Sequence, residues 1–95
     1  MDEEILKVIG RVHMLFKKKG LTLSLAESCT GGLISHYLTM LSGASAFFEA
    51  GLVTYSIESK KVILGLSPET ISVYGVVSGA AAHEMAEKVR ALVKT

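Results

Sequence analysis

Leu25-Ala26-Glu27-Ser28-Cys29-Thr30-Gly31-Gly32 is the stretch on which the fold of this chain turns. It follows an alternating apolar run and precedes an apolar pattern of helical period, with two adjacent glycines at the join. A strand that turns through small residues into a helix leaves backbone N–H groups unpaired, with a partial positive charge, at the helix N-terminus. Such a place accepts a phosphate or a carboxylate. The same residues also suit a plainer role, a Ser/Thr-capped helix start with glycines for a tight turn.

Upstream, Leu21, Leu23 and Leu25 alternate with Thr22, Ser24 and Ala26, which predicts a half-buried strand over 21–26. Before it, Ile5, Val8, Ile9, Val12, Leu15 and Phe16 share one face at helical spacing, which predicts a helix over 2–19. Asp2, Glu3 and Glu4 suit the positive end of that helix, Lys17, Lys18 and Lys19 its negative end, and Gly20 its stop. His13 falls off the centre of the apolar stripe and is expected at solvent or on the flank.

Downstream, Leu33, Ile34, Tyr37, Leu38 and Leu41 form a second helical face, with His36 directed away from it and Ser42-Gly43 as the stop. Phe47 and Phe48 lead into Leu52-Val53-Thr54-Tyr55, a run of strand propensity. Gly51 inside that run marks a bulge or a close backbone approach. Ser56 suits the cap of a short helix closed by Gly65, and Ser67-Pro68-Glu69 starts another that stops at Gly75. After an extended Val76-Val77, Ser78 caps a last helix, whose Ala82, Met85, Ala86, Val89, Leu92 and Val93 share a face; Met85 there is core filler. The order is helix, strand, helix, strand, three helices. Two strands make a thin sheet for that many helices.

The 95 residues suggest one domain, residues 1–95. With 49% apolar and 20% charged residues, the composition is that of a globular chain and not a disordered one. Net charge is +1 without a basic stripe, which argues against direct binding of nucleic acid. A single cysteine excludes a disulfide framework or a Cys-based metal site within one chain. The acidic start lacks the pattern of a signal peptide, and no apolar run approaches the ~18 residues of a membrane span, so a cytoplasmic location is expected. His13, His36 and His83 fall on three different helices, and no metal or cofactor is expected.

Ala26-Glu27-Ser28-Cys29-Thr30-Gly31-Gly32 resembles the signature of the CinA C-terminal domain family. Three further blocks resemble that family in order and spacing: Gly43-Ala44-Ser45-Ala46-Phe47-Phe48, then Gly51-Leu52-Val53-Thr54-Tyr55-Ser56 with Lys60, then Gly75-Val76-Val77-Ser78. The resemblance implies an α/β fold with a mixed sheet flanked by helices, usually oligomeric. It implies a nicotinamide-nucleotide amidase, which hydrolyses the carboxamide of nicotinamide mononucleotide to the nicotinate nucleotide and ammonia. Family domains continue with further strands, a glycine- and proline-rich loop and an arginine in the substrate site. Against that extent, the fold and the site are expected to be incomplete in these 95 residues.

Amide hydrolysis needs a nucleophile, a proton carrier and stabilisation of an oxyanion. The match to the family's small-residue turn makes Ser45 the first candidate nucleophile and Ser28 the second. Tyr55 and Lys60 are the candidates for activating it, because a lysine ammonium beside a phenol favours the phenolate. Glu27, Ser28, Thr30, Gly31 and Gly32 are assigned to substrate binding, Glu27 either orienting the loop or pairing with Lys60. Cys29 is expected as a small buried residue. The expected partners are a small nucleotide substrate and at least one further copy of the chain, because the apolar faces of five helices exceed what two strands can cover. The competing function is a catalytically inactive nucleotide-binding or oligomerising module of the same family.

Overall fold

Helix α1 (Glu3–Lys19) begins where the Asp2 carboxylate accepts the Glu4 amide and ends at Gly20, whose φ of 66° suits a residue without a Cβ. The computed structural model describes residues 2–95 and continues through β1 (Leu23–Glu27), α2 (Leu33–Met40), β2 (Phe48–Val53), α3 (Ile57–Ser59), α4 (Pro68–Tyr74) and α5 (Gly79–Val93). A 3₁₀ turn over Ala44–Ala46 leads into β2, and a π-helical turn over Lys60–Leu64 extends α3. Ser56, Ser67 and Ser78 each accept a backbone amide at the start of α3, α4 and α5, so the capping serines act as their positions imply.

β1 and β2 pair in parallel, from Leu23 opposite Phe48 to Glu27 opposite Val53, where the family resemblance implies a mixed sheet. The register slips between Leu23 and Ser24, leaving Glu49 as the extra residue of a bulge. Gly51 is therefore not the bulge. It is a close approach: a Cβ there would meet Ser35 Oγ within contact distance, Ser35 Cβ at 3.0 Å and Phe48 Cζ at 3.1 Å.

Leu64, Leu66, Met85 and Val89 form the buried centre, with Ala26, Leu52, Ile71 and Val93 packed against it. Leu92, Ala82 and Ala86 are exposed, so the inner stripe of α5 is Ala81, Met85, Val89 and Val93, rotated from the expected face. β1 does not alternate: Leu23 to Ala26 are all half-buried and Glu27 is buried, because helices cover both faces only in part.

His13 corrects the sequence expectation. It is buried, its Nε2–H donates to the Leu38 carbonyl at 2.8 Å, and its ring meets Phe47 edge-on at 4.8 Å. Phe47 is fully buried and also stacks on Phe16 at 5.4 Å. The approach of Phe47 and the end of α2 turns this flank of α1 inward. Val8 and Leu15 are left exposed.

Glu27 ties β1 to α2. Gly32 precedes α2 and has no capping side chain, and the Glu27 carboxylate takes that role from the strand. It accepts the Ile34 amide at 2.9 Å, the Ser35 amide at 2.9 Å, the Ser35 hydroxyl at 2.6 Å and the Thr30 hydroxyl at 2.8 Å. Burial raises the pKa of this carboxyl, but the bonds from Ser35, Ile34 and Thr30 outweigh burial and hold it at about 2, below its ordinary 4.5. Glu84 of α5 holds the start of α4 similarly, accepting the Thr70 hydroxyl and, at 2.6 Å, the Ser67 amide; these bonds lower its pKa.

Two outcomes follow. The stability contributed by ionised Glu27 is fully present above about pH 4.5 and is lost as pH falls through about 2. Glu27→Gln is expected to cost about 2–3 kcal/mol at neutral pH and to remove that acid-side loss, as measured by urea unfolding across the acid range. Gly51→Ala is expected to destabilise by about 1–3 kcal/mol, because the added methyl displaces the Ser35 hydroxyl from Glu27; thermal unfolding checks it.

Candidate active site

A parallel pair brings the carboxyl ends of its strands to the same side, and ligands of open α/β sheets gather there. The last rung is Glu27 opposite Val53. One residue further, the Thr54 amide donates to the Glu27 carbonyl at 2.9 Å, so Ser28 and Thr54 leave the sheet side by side. Two loops rise from this edge. One is 28–32, leading to α2; the other is 54–56, leading to α3.

Lys60 closes the second loop. Its side chain folds back from the helical turn, and Nζ donates to the carbonyl of Thr54 at 2.6 Å and of Tyr55 at 2.9 Å. The residue is only 2% exposed. An ammonium has three donors, so one remains for a further partner. The Thr54 hydroxyl beside it is buried without a hydrogen-bond partner among the described residues. An unsatisfied buried hydroxyl next to a buried lysine is unusual in a folded core. The Ser28 hydroxyl likewise makes no hydrogen bond among the described residues, while the Ser28 carbonyl accepts the Gly31 amide at 3.1 Å. Ser28 lines an open groove of about 330 Å³ between β1 and α5, with Glu27, Cys29, Thr30 and Met85.

Tyr55 and Lys60 are in contact, but through the Tyr55 backbone; the tyrosine residue is 72% exposed. Ser45 is not brought to them. It sits on the exposed 3₁₀ turn that precedes β2, at the amino end of the sheet. The length of β2 separates it from Thr54, roughly 17 Å at the rise of an extended chain. A turn before β2 and a loop after it lie at opposite ends of that strand, whereas the parallel pairing puts the loop after β1 beside the loop after β2.

The loop residues divide. Glu27 is not paired with Lys60: its carboxylate faces α2, as the loop-orienting alternative requires. The anion at the start of α2 is thus the chain's own, and the Ile34 and Ser35 amides are occupied. Thr30 serves that network through its hydroxyl. Gly31 and Gly32 adopt φ of 62° and 98°, which lets the loop reverse tightly into the helix. Cys29 is exposed, contrary to expectation, because the loop stands clear of the helices and lines the groove. Thr54 and Ser35 were not singled out by sequence reasoning. A threonine ending a strand and a serine in a first helical turn carry no local signal, and their contacts come from other elements.

Among the described residues, no group of three or more His, Cys, Asp or Glu side chains is placed to hold a metal ion, and no helix is long and apolar enough to cross a membrane.

Comparison with known proteins agrees with this architecture. The profile of the CinA C-terminal domain matches residues 6–95. A CinA-like protein of Shewanella pealeana is 50% identical over 84 residues, covering 88% of this chain and 20% of the relative. The solved competence/damage inducible protein of Agrobacterium tumefaciens superposes with a TM-score of 0.91 at 38% identity, covering 96% of this chain and 55% of that one. A CinA superfamily structure from Escherichia coli gives a TM-score of 0.93 at 30% identity, over 96% of this chain and 53% of that one. The chain spans about a fifth of the length of the curated relative and about half of the solved chains. The matched profile and the shared fold make this chain a member of the CinA C-terminal domain family.

Proposed function

We propose that this chain carries the site of an amidohydrolase that converts nicotinamide mononucleotide to nicotinate mononucleotide and ammonia without a metal. One observation carries the reading beyond family membership: the loop of Ser28 and the loop of Thr54 and Tyr55, whose carbonyls the buried Lys60 holds, leave the same carboxyl end of the parallel pair. A hydroxyl free of internal bonds and a lysine with a donor to spare are the components that acyl transfer needs.

In this reading Ser28 Oγ attacks the carboxamide carbon, and the C–N bond breaks. Lys60, as the neutral amine that donates to two carbonyls and keeps a lone pair, or Tyr55 as the phenolate, takes the serine proton and passes it to the departing nitrogen, which leaves as ammonia. Water then cleaves the acyl ester and restores the serine. Glu27 acts as a positioning residue, since its bonds to Thr30, Ile34 and Ser35 hold the loop that carries Ser28. Ser45, at the other end of β2, shares no end of the sheet with Lys60 inside one chain. Ser28 is therefore preferred over Ser45 as the attacking group.

A second reading, a catalytically inactive nucleotide-binding module, is favoured by the unpartnered Thr54 hydroxyl and the open groove, which a complete hydrolytic site would cover.

Ammonia release from nicotinamide mononucleotide by the purified chain separates the two. Turnover is expected. Ser28→Ala is expected to lower the rate at least about 100-fold while Ser45→Ala stays within about twofold. Loss of activity in Ser45→Ala with Ser28→Ala unaffected removes Ser28 from the attacking role. A folded chain that binds the nucleotide without releasing ammonia supports the module.

A further inference from the structure

Two unmet hydrogen bonds fall on one pair of residues beyond the end of β2. Thr54 is 1% exposed, and its hydroxyl has no partner among the described residues. Lys60 is buried as well and spends two bonds on the Thr54 and Tyr55 carbonyls. One position of its nitrogen is left over in either protonation state, as an N–H of the ammonium or as the lone pair of the amine. That nitrogen lies 2.6 Å from the carbonyl of the same residue whose hydroxyl is unpaired. Backbone bonds hold both residues in place. The Thr54 amide donates to the Glu27 carbonyl at 2.9 Å, the Lys60 amide donates to the Ser56 carbonyl at 3.1 Å, and the Lys60 carbonyl accepts the Leu66 amide at 3.0 Å. A buried hydroxyl without a partner is costly, and a folded chain seldom keeps one.

We propose that the Thr54 hydroxyl and Lys60 Nζ hold one buried water molecule between them. Water suits this pair for a chemical reason. Its oxygen accepts from an ammonium, its hydrogen donates to an amine, and the hydroxyl on the other side donates or accepts in turn. The bridge therefore survives a change in the protonation of the lysine. An anion would suit the ammonium alone, and the two carbonyl oxygens already on Nζ repel it. A water bridging two buried polar groups is nearly as good as a direct bond.

Thr54 is then a positioning residue for Lys60. A lysine nitrogen is a point charge on a flexible stem. The two carbonyls come from adjacent residues and hold it from one side, and the water gives it a further fixed point. The effect on a reaction rests on the amidohydrolase reading. The water site rests on the hydrogen bonds alone.

Replacing the hydroxyl by a methyl group tests the site. Removal of an orphaned buried hydroxyl raises stability, whereas removal of one that holds a water for Lys60 leaves Nζ short of a bond. Thr54→Val is expected to lower the thermal midpoint by about 4–8 °C. In a chain that also carries Lys60→Met, the same substitution is expected to have no such cost. A crystal structure of the unmodified chain is expected to show a water within hydrogen-bond distance of both Thr54 Oγ1 and Lys60 Nζ, and one of Thr54→Val is expected to lack it. A midpoint of Thr54→Val at or above that of the unmodified chain overturns the proposal. So does an equal loss with and without Lys60, or a crystal structure without that water. If Lys60→Met does not fold, the single variant and the crystal structure decide. In the ammonia assay, Thr54→Val is expected to lower kcat about tenfold with KM within about twofold, and Thr54→Ser to restore most of the rate. An unchanged kcat in Thr54→Val overturns the positioning role. An unmodified chain that releases no ammonia counts against the amidohydrolase reading, and the midpoints and the crystal structure still decide the water site.

Discussion

Glu27 is 3% exposed, its carboxylate accepts bonds from both loop and helix, and the geometry of the junction depends on it. Gly31 and Gly32 give the chain the freedom to reverse after β1, but a pair of glycines directs nothing. The direction of α2 comes from two amides of its first turn pointing at a charge on the preceding strand. Because the same residue's carbonyl accepts the Thr54 amide, this junction also sets where β2 leaves the sheet. The loop bearing Ser28 and the turn bearing Lys60 are held in mutual position by one glutamate, through its side chain on one side and its backbone on the other.

That arrangement explains how a two-stranded sheet can carry a defined site. An isolated pair of strands is marginal in water. Here the pair is buttressed by α5 and the π-helical turn, whose Leu64, Met85 and Val89 pack beneath Ala26 and Leu52. The π turn also places Lys60, whose ammonium satisfies the Thr54 and Tyr55 carbonyls that the ending strand leaves unpaired. A buried lysine without a carboxylate partner would ordinarily be costly. Two carbonyls offset much of that cost and leave one donor over.

The two faces of α1 show the same economy at a larger scale. Its inner flank closes on Phe47, which brings His13 inside and satisfies the ring with the Leu38 carbonyl. Its outer stripe keeps Val8 and Leu15 at the surface. One apolar pattern on one helix is thus divided between a core and an open face, since α2 and the turn before β2 reach only one side of it.

By itself the sequence determined the order of the elements and the limits of most helices, while the strands run Leu23–Glu27 and Phe48–Val53 instead of over 21–26 and 52–55. Helical spacing, the capping serines at 56, 67 and 78, Pro68 and the glycines at 20, 65 and 75 set the helices, because a cap or a backbone conformation depends on neighbours within a turn. The family resemblance was legible for the same reason, being carried by contiguous blocks from 26 to 78. The tertiary structure alone decided which half of the α1 stripe is buried, that Glu27 caps α2 instead of meeting Lys60, that Cys29 is exposed, and that Ser28 rather than Ser45 shares an end of the sheet with Lys60. Each of these depends on strand direction or on a contact between distant residues. Local spacing carries no record of either, because it is parallel pairing that brings the loop after β1 and the loop after β2 to one end of the sheet.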